Sequence, residues 1–105
     1  MFQNMVNPVG GSGGGSKLVE ETTTFSTGNN TITISELSNI KAVVIETTSY
    51  SWVSFAYYDD TDNLVIHSGY STYWNITGVN GNQITFYFYH PNYSSMSALI
   101  TVIGE

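Results

Sequence analysis

The chain of 105 residues has no cysteine, which excludes disulfide staples, thiolate zinc sites and thiol nucleophiles together. Basic residues are nearly absent as well. Lys17 and Lys41 stand against eight acidic residues, for a net charge of −6. Such a chain has little with which to neutralise phosphates, so nucleic acid is not an expected partner, and an anionic membrane surface is disfavoured for the same reason. Charge of either sign is scarce, at 10% of residues against about 25% in an average globular chain. Solubility then rests on Ser, Thr, Asn and Tyr. No apolar run approaches the ~20 residues of a membrane-spanning helix. The opening residues also lack the positive start and continuous apolar stretch of a signal peptide.

Aromatic residues, by contrast, make up 14% of the chain. In Gln83-Ile84-Thr85-Phe86-Tyr87-Phe88-Tyr89, period-two alternation sends Ile84, Phe86 and Phe88 one way and Thr85, Tyr87 and Tyr89 the other. A core needs one of these faces. The tyrosine-bearing face points to a protein that works by contact, with copies of itself or with a ligand.

Three segments follow from composition: residues 1–9 as an apolar-polar peptide, 10–16 as a Gly/Ser linker, and 17–105 as one domain. Seven Gly/Ser residues have almost no side chain to pack and behave as a coil of about 15 Å root-mean-square span. Phe2, Met5 and Val6 ahead of this tether suit docking into a groove of another protein. The regular tether also fits an engineered peptide-linker-domain fusion.

From Leu18 onward Thr, Val, Ile, Tyr and Phe dominate, and Gly/Asn/Asp turns recur every 8 to 12 residues or so. This predicts an all-β fold of about eight short antiparallel strands, a β-sandwich with jelly-roll-like or immunoglobulin-like connections. Leu18–Thr27 and Thr31–Ser35 flank Gly28-Asn29-Asn30 and read as a hairpin with Ile32 and Ile34 inward. Ala42-Val43-Val44-Ile45 reads as a central strand covered on both faces. In Ser51–Asp59, Val53, Phe55 and Tyr57 lie opposite Trp52, Ser54, Ala56 and Tyr58, and the first set is assigned to the core. Asn80-Gly81-Asn82 signals a second hairpin.

Catalytic chemistry finds no support in the pattern. His67 and His90 lack a local motif, no Gly-x-Ser-x-Gly elbow is present, and Glu20-Glu21 and Asp59-Asp60 fall beside the tether and in a turn. The chain reads as a non-enzyme without cofactor or metal. Asp59-Asp60-Thr61-Asp62-Asn63 lacks the glycine and distal glutamate of an EF-hand and reads as a turn whose side chains cap backbone groups. Trp52, Tyr58, Tyr87 and Tyr89 are the candidate contact residues, forming one patch if their strands are neighbours. Their faces suit subunit packing or a sugar or receptor site; burial in a thick sandwich is the alternative. A small core, few charges and a second aromatic face together favour a homo-oligomer, a trimer ahead of other states.

The opening Met-Phe-Gln-Asn-Met-x-Asn-Pro, the Gly/Ser tether and a Thr/Tyr-rich β-domain ending in Ile-Thr-Val-Ile-Gly-Glu resemble small virion proteins of tailed bacteriophages. The resemblance implies a peptide that docks on other virion proteins, a leash, and a sandwich exposed on the particle surface, often trimeric. A host-surface glycan is the ligand such a module would meet.

Overall fold

The structure, a computed structural model, describes residues 15–70 and 72–105. The expected anchor residues Phe2, Met5 and Val6 therefore lie outside the described residues. Eight strands form, β1 (Lys17–Ser26), β2 (Gly28–Thr33), β3 (Ile40–Thr47), β4 (Val53–Tyr58), β5 (Leu64–His67), β6 (Trp74–Asn80), β7 (Gln83–Phe88) and β8 (Ser95–Gly104). They make a five-stranded sheet in the order β1-β8-β3-β4-β5 and a three-stranded sheet β2-β7-β6, antiparallel throughout. The two sheets pack face to face as a β-sandwich, the class the alternation predicts.

Phe25 of β1 stacks on Phe86 of β7 (4.3 Å between ring centroids, 11° between planes), and Trp74 meets Phe86 edge-on at 4.8 Å. The Trp74 indole N–H donates to the Ile45 carbonyl at 3.0 Å, so β6 is fastened to β3 across the core by the polar end of an otherwise apolar ring. Ile84, Phe86 and Phe88 are buried, as their alternation requires.

Two expectations change. β1 and β2 do not form a hairpin, because each joins a different sheet. Gly28, at φ +103°, turns the chain from one layer to the other. The Asn30 amide then bridges the corner, donating to the Ser26 and Gly28 carbonyls and accepting from the Ser26 N–H. β1 instead pairs along its whole length with β8.

The second correction is the face of β4. Ser54 and Ala56 point into the core, while Val53, Phe55 and Tyr57 are 41%, 38% and 38% exposed. Volume decides this. The facing layer carries Trp74, Ile76 and Phe86, and the space left opposite such bulk takes small residues. The Ser54 hydroxyl is satisfied there, donating to the His67 carbonyl and accepting from the Ile76 N–H. β3 is central as expected, yet its outer-face residues Ala42, Val44 and Glu46 are only half-buried.

The register gives the molecule two poles. Lys17 and Ile40 both pair with Gly104 at one end, where the Gly/Ser segment joins the sandwich; Ser26 pairs with Ser95, and Thr47 with Ala98, at the other. Ten residues of β1 separate the poles by about 30 Å at ~3.3 Å per residue.

Candidate contact site at the loop pole

The pole far from the tether is built from residues 48–52, 68–70 with 72–73, and 89–94, in the connections β3–β4, β5–β6 and β7–β8. Each is pinned. Thr47 is buried at the end of β3, its hydroxyl donating to the Tyr50 carbonyl and accepting from the Tyr50 N–H, while its own N–H donates to the Trp52 carbonyl. The Gly69 N–H donates to the Trp74 carbonyl and the Asn75 side-chain oxygen. A Cβ at position 69 would run into that carbonyl and the Trp74 ring, so glycine is required by close approach. The Tyr89 N–H donates to the Tyr73 carbonyl, tying the second loop to the third. In that third loop the His90 Nδ1 accepts from the Asn92 N–H.

These anchored turns gather rings from all three loops. Trp52 lies between Tyr50 (5.0 Å, 16°) and Tyr70 (4.9 Å, 2°), giving a run of near-parallel planes. His90 sits 5.7 Å from Trp52 and 4.6 Å from Tyr93. Tyr73 meets Trp52 edge-on, and Tyr89 meets Tyr73 edge-on. The run is seated on the core through Trp52, which is half-buried and 6.2 Å from Trp74. Its outer members remain open, with Tyr70 at 50% and Tyr93 at 49% exposure.

Beside the rings is an open cleft of about 290 Å³, lined by Tyr50, Tyr93, Met96 and the hydroxyl residues Thr24, Ser49, Ser95 and Ser97. Among the described residues that line it there is no carboxylate, ammonium or imidazole, so its chemistry is hydroxyl against hydroxyl beside apolar planes. The neighbouring Tyr93 side chain, through its hydroxyl, followed by some desolvation and by that phenol's charge, holds Tyr50 above the ordinary tyrosine range.

The four expected contact residues are not one patch, since β4 and β7 belong to different sheets. Trp52 and Tyr89 enter the loop-pole cluster, linked through Tyr73. Tyr58 lies toward the tether pole, packed on the core with its hydroxyl donating to the Val79 carbonyl at 2.7 Å. Tyr87, next to last in β7, stands on the outer side of the three-stranded sheet, between Asn29 and Asn75 in register. Tyr50, Tyr70, Tyr73, His90 and Tyr93 were not singled out by alternation, which applies only within strands. The available signal was large aromatics in turn segments, where small polar residues are the norm.

The acidic segment 59–63 is a capped turn, in which one Asp59 carboxylate oxygen accepts from the Thr61 N–H and hydroxyl and the Asn63 N–H. Among the described residues no group of three or more His, Asp or Glu side chains is placed to hold a metal ion.

Comparison with protein-family models, curated proteins and solved structures finds no match to this chain.

Proposed function

We propose that the protein is an appendage of a bacteriophage particle, held by its N-terminal peptide, whose sandwich presents the loop-pole aromatic cluster to a neutral saccharide of a host surface. The observation that carries this reading is polarity. The tether joins at one end of the sandwich and the open rings lie at the other, about 30 Å away by strand rise, so attachment through residues 1–9 leaves the cluster facing outward. Near-parallel aromatic planes offer the apolar face of a sugar ring a stacking partner, and a hydroxyl-lined cleft without ionic groups suits the ring's own hydroxyls.

Binding of the full-length chain to a panel of immobilised neutral polysaccharides tests the site. Tyr70→Ala and Tyr93→Ala should each weaken binding about tenfold or more, as truncation of an aromatic anchor does, while Tyr87→Ala should leave it unchanged. Equal effects of all three, or binding by none of the proteins including wild type, would remove the saccharide reading. Attachment is tested separately. Phe2→Ser combined with Met5→Ser should abolish co-sedimentation with particles without altering saccharide binding.

A further inference from the structure

We propose that the outer face of the five-stranded sheet is an interface for a second copy of this chain, related by a two-fold axis running along β3. This surface is distinct from the loop-pole cluster, and the inference does not depend on what that cluster binds. In the face away from the core, register sets Val53, Phe55 and Tyr57 of β4 beside Glu46, Val44 and Ala42 of β3. The apolar surface continues across β8, where Leu99 pairs with Glu46. Among the described residues of this face the carboxylates are Glu20 and Glu46, and the basic groups are Lys41, at the bulge that opens β3, and the edge imidazole of His67. With so few charges of either sign spread over a largely apolar plane, neither a strongly acidic nor a strongly basic partner finds a matching charged surface.

The same face suits itself. β3 is the middle strand of β1-β8-β3-β4-β5, so a two-fold axis along it sets β4 of one copy over β8 of the other, and β5 over β1. By register Phe55 then faces Thr101, Val53 faces Leu99, and His67 faces Glu20 of the second copy. Apolar side chains meet apolar or hydroxyl-bearing ones, and the edge carboxylate meets an imidazole. The roughly 30° offset of aligned sheet packing preserves these matches near the axis. Five strands at ~4.8 Å, over some 25 Å of strand length, offer about 600 Å² per copy by sheet geometry. Two copies then cover about 1,200 Å², above the ~1,000 Å² expected of a specific interface. Glu46, close to the axis, is brought near its own counterpart and opposes the association.

Sedimentation equilibrium of the full-length chain across micromolar to millimolar concentration tests this. A monomer–dimer equilibrium is expected. Phe55→Lys, at an exposed position, should abolish the dimer while the far-ultraviolet spectrum stays that of wild type. Glu46→Gln should tighten it several-fold by removing like charges at the axis, a gain that a misfolded variant would not produce. Phe2→Ser with Met5→Ser should leave it unchanged, because the occupant is the sandwich of a second copy and not the N-terminal peptide. A single-chain mass at every concentration, a trimer, a dimer unaffected by both Phe55→Lys and Glu46→Gln, or loss of the dimer in the N-terminal variant would each overturn the proposal.

Discussion

Asp59 organises the turn between β4 and β5 with a single carboxylate. Hydrogen bonds from the Asn63 backbone, the Thr61 side chain and the Thr61 backbone hold its acidity below the ordinary carboxylate range. The charged form is the one the folded turn favours. Its stabilisation is therefore fully present above the unfolded carboxylate value, near 3.9, and is lost as pH falls through the lower folded value. A proton titration followed by NMR should place the Asp59 midpoint below the ordinary aspartate value. Asp59→Asn should lower the melting temperature at neutral pH, and the difference from wild type should shrink on acidification. A midpoint at or above the ordinary value would mean that the turn does not use the charge. Gly69 makes a different demand, since space rather than charge fixes it. Gly69→Ala should destabilise the fold by roughly 1–3 kcal/mol, the usual cost of overpacking a filled site, as measured by urea unfolding.

Strands differ in how much of their placement the sequence discloses. β7 was legible because both of its faces are uniform in kind, large apolar against hydroxyl-bearing, so period two alone orients it. Phe86→Ala and Phe88→Ala should each cost ~3–5 kcal/mol, whereas Tyr87→Ala on the open side should cost within about 1 kcal/mol; equal losses in thermal melts would show that both faces are packed. β4 was misread by the same rule. Its two faces are Val/Phe/Tyr and Ser/Ala, and hydropathy ranks the first as core, but the bulk of Trp74, Ile76 and Phe86 opposite left room only for the second. The orientation depended on a volume supplied by strands some 20 to 30 residues away. The β1–β2 corner was hidden for a related reason. A glycine at positive φ serves a hairpin turn and a crossing between sheets alike, and the choice fell to β8, whose pairing with β1 is decided at the far end of the chain. The loop-pole cluster lay in segments that no periodicity describes, and only the folding of three distant turns onto one end assembles it.

At the scale of the whole molecule, the proposed axis and the proposed site act together. A two-fold axis along the strands leaves both tethers at one end and both aromatic clusters at the other, because rotation about that axis does not reverse the strand direction. Each particle-bound pair would then present two sites to the same surface. Linked sites convert the second binding event into an intramolecular one, and avidity can exceed single-site affinity by ~10²–10⁴ without new contacts. The full-length Phe55→Lys variant, monomeric by the argument above, should therefore bind a soluble oligosaccharide as wild type does but adhere to a densely coated polysaccharide surface at least about 10²-fold more weakly. An axis perpendicular to the strands would send the clusters to opposite ends, and dimerisation would then add nothing to adhesion. Equal surface binding by the monomeric variant and the dimeric wild type, measured by surface plasmon resonance at matched saccharide density, would exclude the parallel arrangement and leave the single loop pole as the unit of recognition.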